Sequence, residues 1–211
     1  MSSAYFISRQ EVGTMGKRTV LFALVTIIMV LSLLAASSPF ANAVETYQVD
    51  PQHSAIIFRI KHLGIAYVYG RFNDMSGILK IDDQAPANSS VQIFVETHRV
   101  DTNVKERDDH LRSADFFDAK RFPTISFTSK SFKKVDEDTY EVAGDLNLHG
   151  ITKPLTVNVQ RTGSGDDPWG GYRVGYETTF WIKRSDFGMT FMMNGVADEV
   201  RITVSIESIR K

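Results

Sequence analysis

Val200-Arg201-Ile202-Thr203-Val204-Ser205-Ile206-Glu207 carries a branched apolar side chain at every even position and a polar or charged one at every odd position. Alternation with period two puts all four aliphatic groups on one side of an extended strand, whereas a helix would scatter them around its axis. The same reading recurs upstream. Between Ser54 and His62, Ile56, Phe58, Ile60 and His62 share one face, with Ile57, Arg59 and Lys61 on the other. Val91, Ile93 and Val95 alternate with Gln92, Phe94 and Glu96, and Ile125 and Phe127 with Thr124, Ser126 and Thr128. Val142, Leu146 and Leu148 alternate with Glu141, Asp145 and Asn147. Strands with one dry and one wet face belong to antiparallel sheets.

Turn chemistry separates these runs: Asp82-Asp83-Gln84-Ala85-Pro86, Asp136-Glu137-Asp138, His149-Gly150, the stretch from Gly163 to Pro168, and Gly170-Gly171. Roughly eight or nine strands result, able to stack as a sandwich or close as a barrel. Gly70, Gly77, Gly144 and Gly175 fall inside strands, where glycine marks bends that let long strands coil, which favours the barrel. Asn103 to Ser113 lacks the period and reads as a short surface helix. Asn103 is its cap, Glu106 sits at the capping-box position, and Glu106–His110 and Asp108–Arg112 form i,i+4 pairs. Phe116 and Phe117, adjacent in a connection, suit a plug over something apolar.

Composition narrows the function classes. The chain has 211 residues and no cysteine, which excludes disulfides, thiolate metal sites and cysteine nucleophiles. Residues 1–43 hold Arg9, Lys17 and Arg18 against Glu11, leaving 21 basic and 24 acidic residues in the other 168, a balance unsuited to a nucleic-acid binder. Met15-Gly16-Lys17-Arg18, an apolar run from Val20 to Ala36 and Ala41-Asn42-Ala43 compose a secretory signal, with translation starting at Met15 and cleavage after Ala43. Residues 44–211 then form a single domain, and an exported chain without cysteine fits a bacterial periplasm.

No constellation reads as a catalytic site. His110 with Glu106 and Asp109 could hold a metal, but no second histidine occurs at helical spacing, and a solvated face of ion pairs is the simpler reading. His53 and His62 are roughly 30 Å apart along an extended strand, too far to share an ion. His62, in phase with Phe58 and Ile60, is read as pointing inward, either satisfied within the core or touching the polar end of a ligand.

Several segments together resemble the YceI-like family. They are His53-Ser54-Ala55-Ile56-Ile57-Phe58, His62-Leu63-Gly64, Gly70-Arg71-Phe72, Val100-Asp101-Thr102-Asn103, the run from Arg107 to Phe117, Gly144-Asp145-Leu146, His149 to Pro154, and Arg184-Ser185-Asp186-Phe187-Gly188. The resemblance runs in order over about residues 47 to 209. It implies an extended, lipocalin-like antiparallel β-barrel of about eight strands with a helical insertion packed across it. It also implies a long apolar guest: a polyisoprenoid, an isoprenoid quinone or a fatty-acid derivative. No catalytic role is assigned in the family, and no cofactor is required.

The leading expectation is therefore a periplasmic carrier of an isoprenoid-type lipid, making transient contact with a membrane or membrane protein and able to pair into a homodimer through strand edges. Phe58, Ile60, Phe72, Val95, Phe127, Leu146, Leu148 and Phe180 are expected to line the channel, and Phe116 and Phe117 to close part of it. His62, and less so Arg112, would meet the polar end. The competing readings are a hydrolase or isomerase of an apolar lipid, working through His62 or the His110/Glu106 pair, and an interaction protein with a solid core. The export reading predicts that N-terminal sequencing of protein recovered from outside the cytoplasm starts at Val44, and an intact Met15 start there would contradict it.

Overall fold

The β-branched and aromatic residues that alternate along the chain form eleven strand segments, each pairing antiparallel, in the computed structural model, which describes residues 44–211. The expected export segment, residues 1–43, lies outside the described residues. The segments are β1 (Glu45–Val49), β2 (Ala55–His62), β3 (Ala66–Phe72), β4 (Met75–Ile81), β5 (Ser90–Glu96), β6 (Val100–Asp101), β7 (Thr124–Lys134), β8 (Thr139–Leu148), β9 (Ile151–Asp166), β10 (Tyr172–Lys183) and β11 (Val196–Arg210). The sheet runs β4-β5-β7-β8-β9-β10-β11 and closes through β1, which pairs with both β4 and β11. Eight strands thus make an unbroken ring, which leaves no sheet edge there.

The excess over eight comes from interrupted strands. β1 and β2 lie along successive parts of β11, at Ser208–Arg210 and Val196–Ser205, and are two halves of one strand broken at Asp50–Ser54. Pro51, which has no N–H to give to a ladder, sits in that break. Asn73-Asp74 divides β3 from β4 in the same way, and a single 3-10 turn, Thr97–Arg99, divides β5 from β6. Two interior glycines are spatial necessities. A Cβ on Gly70 would enter the Phe58 ring, and one on Gly144 would collide with the Thr128 carbonyl and the Phe127 ring. Gly163-Ser164-Gly165, expected as loop, is the end of β9 instead: its pairing with Arg173–Gly175 overrides the loop-like composition.

β6 pairs with β3, and the wall beside it is completed by residues 102–123, which carry helix α1 (Lys105–Leu111). Its start differs from expectation. Val104, not Asn103, is the N-cap, no side chain caps it, and Asn103 has φ 63° in the left-handed region. Buried Asp108 does the fastening, accepting the Thr102 N–H (2.8 Å) and the Thr102 hydroxyl (2.5 Å). Arg107 donates to the same threonine's hydroxyl and carbonyl. With Asp108 so engaged, Arg112 pairs with Asp109 at i,i+3, and His110 turns from Glu106 to Asp115.

At the opposite end, Arg173 of β10 donates to Asp50, Asp167 and Glu207, tying the β1–β2 break to β11 and to the β9–β10 turn. The Arg173 guanidinium, then His53, holds the Asp50 carboxyl down at about 2, below the usual carboxylate value of about 3.9. As pH falls from about 4 toward 2, the unfolded chain takes up a proton that folded Asp50 refuses, so this contribution to stability is lost over that window. Arg173→Met should lower stability by a constant amount above about pH 5, with the gap between the two proteins narrowing below about pH 4. Chemical denaturation at several pH values measures it, and a gap that widens in acid would refute the assignment.

Candidate ligand-binding site

The inner faces of the strands do not meet. They enclose a cavity of about 240 Å³ with an almost wholly apolar wall. Every strand of the closed ring except β1 contributes, as do β2, β3 and the α1 connection. Along β11 the wall runs from Val196 to Ile206, about 33 Å of strand and nearer 25 Å along the axis after the usual tilt. Val200, Ile202, Val204 and Ile206 are half-buried although they face inward, because their neighbour across the lumen is space and not another side chain.

Phe58, Ile60, Phe72, Val95, Phe127, Leu146, Leu148 and Phe180 all stand on this wall. Phe116 and Phe117 reach it from the connection after α1. Phe117 packs edge-on against Phe72 with ring centres 5.4 Å apart, and Phe116 against Phe191 at 5.4 Å. A solid core is thereby ruled out.

Two candidates stand elsewhere. His62 keeps the inward phase, opposite Val196, but it is exposed at the end of β2, at the rim and not in the interior. Alternation identifies a face and says nothing about depth. Arg112 is held outside the cavity wall, where its guanidinium donates to the His98 and Val100 carbonyls and to Asp109. The metal reading of His110 also dissolves, since its Nε2 is 2.8 Å from Asp115 and its ring packs edge-on to Phe116 and Phe191. Asp50, His53 and Glu207 do converge as metal-ligating types, but the Arg173 guanidinium lies against both carboxylates and already supplies the positive charge.

Arg184 is the site residue that sequence reasoning missed. It borders the cavity at 3% exposure, with no carboxylate among the described residues bonded to it. Its guanidinium donates instead to four carbonyls: Ala197 (2.9 Å), Met189 (2.8 Å), Phe191 (2.8 Å) and Val196 (2.9 Å). Burial pulls its pKa down, and Asp198 opposes this only at a distance. These bonds use four of five N–H groups and shape the loop from Gly188 to Gly195, which flanks the lumen. Leu155, Val157 and Val159 of β9 also line it, and their alternation with Thr156 and Asn158 was legible in the chain.

The chain matches the YceI-like domain model over residues 47–208. It is 45% identical over 166 residues to a UPF0312 protein of Yersinia enterocolitica, covering 78% of this chain and 86% of that one. Among solved structures, Burkholderia cenocepacia BcnA superposes with TM-score 0.69 at 26% identity, over 75% of this chain and 98% of that one. A polyisoprenoid binding domain from Saccharophagus degradans, implicated in plant cell wall breakdown, shares the fold with TM-score 0.61 at 19% identity, over 78% and 98% of the two chains.

Arg184→Met keeps the apolar stem and removes the donors, leaving buried carbonyls unpaired. It should cost about 2–4 kcal/mol, read as a drop in the urea midpoint. A change below about 0.5 kcal/mol would show that water satisfies those carbonyls equally well.

Proposed function

Because the chain belongs to the YceI-like family, we propose that it is a periplasmic carrier that holds one long, isoprenoid-type lipid inside its barrel. The observation that supports this most is the elongated apolar cavity itself. Burial of hydrocarbon stabilises by about 0.8 kcal/mol per methylene, so a guest of some tens of carbons would overshoot the affinity ceiling near −20 kcal/mol. Ordering of the tail and incomplete burial absorb the difference. A featureless wall therefore binds chain length and bulk, and discrimination between polyprenyl, quinone and fatty-acid derivatives falls to polar groups at the ends. Arg184, with one N–H to spare, and rim-placed His62 are the groups at one end. A fold relative named for polyisoprenoid binding supports the same class of guest. The role needs no resident cofactor and no chemical step.

Protein isolated from its own host under non-denaturing conditions, extracted into organic solvent and read by mass spectrometry, should yield about one long-chain isoprenoid-type lipid per barrel; barrels recovered empty, or filled with short solutes, would overturn the reading. Val204→Trp places a large ring into open space and should remove most of that lipid. The stability change should stay within about 1.5 kcal/mol, since the lumen has room for the ring.

A further inference from the structure

The barrel has two chemically different ends. The turns at one end, residues 82–89, 135–138 and 166–171, carry Asp82, Asp83, Asp136, Glu137, Asp138, Asp166 and Asp167 and no lysine or arginine. At the other end, the β2–β3 turn and the loop before β11 carry no charge at all. They present Leu63, Ile65, Phe191, Met192 and Met193, which are 55%, 82%, 40%, 46% and 41% exposed. These tips are neighbours, since the Leu63 N–H donates to the Gly195 carbonyl at 2.7 Å. They also adjoin the cavity, because Phe191 packs on Phe116 and the same loop supplies Met189 to the wall.

Backbone conformation strengthens the case. Leu63 and Gly64 have φ 52° and 70°, a two-residue hairpin turn closed by the Ile65 N–H on the His62 carbonyl (2.9 Å). Asparagine favours the first of these positions and a bulky apolar side chain does not. Met192, at φ 54°, repeats the anomaly in the adjacent loop. Two tips that break the local rule in the same way, side by side, mark a surface with a purpose other than folding. Just behind them, the outer wall carries Tyr67, Tyr69 and Trp181 around Arg59, whose guanidinium lies 4.3 Å from the Tyr67 ring centre and 5.8 Å from that of Trp181. Tyr67 is two residues from Ile65 and Tyr69 four, about 7 and 13 Å along the strand. Tyrosine and tryptophan rings are the side chains enriched at the headgroup level of a membrane interface. Of the exposed acids in the neighbouring α1 segment, Asp109 is engaged by Lys105 and Arg112 and Asp115 by His110, which leaves Glu106.

We infer that this end docks on a lipid bilayer, with Leu63, Ile65, Phe191, Met192 and Met193 entering the headgroup boundary and Arg59 and Lys61 facing anionic headgroups. The barrel then stands with its apolar loop against the membrane, and the guest passes along Phe116 without crossing water. The inference rests on the lipid-carrier reading for that passage, but docking itself is measurable without it.

Among the described residues, 44–211 close the ring and hold both apolar clusters, and they span the family's domain, so they suit a flotation assay with vesicles of phosphatidylethanolamine and phosphatidylglycerol. This protein should float with the vesicles. Leu63→Asn/Ile65→Ser/Phe191→Ser/Met192→Asn should lose partitioning by about tenfold or more, while its two asparagines suit the positive φ and preserve the fold. Val135→Ser/Trp169→Ser at the far end should float as the native protein does. Equal flotation of the tip variant, no flotation of the native protein, or binding only to vesicles that carry membrane proteins would overturn the inference. Lipid extracted from the tip variant, made in the native host, separates the two proposals. A guest retained without flotation supports both, and flotation of native barrels that never contain a guest upholds docking while removing the carrier reading.

Discussion

A barrel whose lumen is left open forgoes part of the apolar burial that stabilises a small domain, so closure of the backbone ladder must help to hold its wall. β11 is where this is settled. Its fifteen residues pair with β10 along one side and with β2 and then β1 along the other. The final registers of β1 on β11 close the ring at one end, and those of β2 carry that closure along the rest of β11. The inward aliphatic groups of the same strand remain half-exposed to the hollow. Each square ångström left uncovered forfeits about 25 cal/mol, and a guest that covers it restores the loss. Stability and occupancy are therefore linked by mass action: the filled barrel is the more stable one, by an amount that grows with the concentration and affinity of the guest.

The same economy explains where charge sits. Arg184 and Asp108 are buried, and both spend their hydrogen-bonding capacity on chain segments that border the lumen. Asp108 gathers Thr102 and with it the approach to α1, and Arg184 gathers the carbonyls of the loop before β11. A cation bonded to four carbonyls is expensive to bury, and a hydrocarbon side chain could fill that volume at lower cost, but it could not prescribe one loop shape.

Period two was enough to place the inner faces of β2, β5, β7, β8 and β11, because each of those strands has a dry side and a wet side. The cavity-lining positions Phe58, Ile60, Val95, Phe127, Leu146 and Leu148 follow from it. Three kinds of information were not in the pattern. Depth along a strand decides His62, which shares the phase of Phe58 and Ile60 yet lies beyond the end of the lumen. Long-range partners decide Arg112 and Arg184, whose guanidinium groups answer to carbonyls that local spacing cannot bring into view. Cross-strand pairing decides Gly163 to Gly165, where composition favours a loop and the β10 ladder imposes a strand.

The residues that carry the family resemblance teach a related point. Thr102, Arg107, Asp108, Arg184 and Gly188 are identity-dependent, for their hydrogen bonds or, at Gly188, a φ of 75°, admit few substitutes. The lumen wall has no such demand, since leucine, isoleucine, valine and phenylalanine interchange there as long as volume and phase are kept. A recognisable motif in such a barrel thus reports how the loops around the cavity are pinned, not what the cavity holds. Relatives could exchange one greasy guest for another by adjusting wall volume while every motif stayed in place. For this architecture, fold is written in particular residues, whereas ligand preference is spread over the summed shape of many replaceable ones and the few polar atoms at the ends.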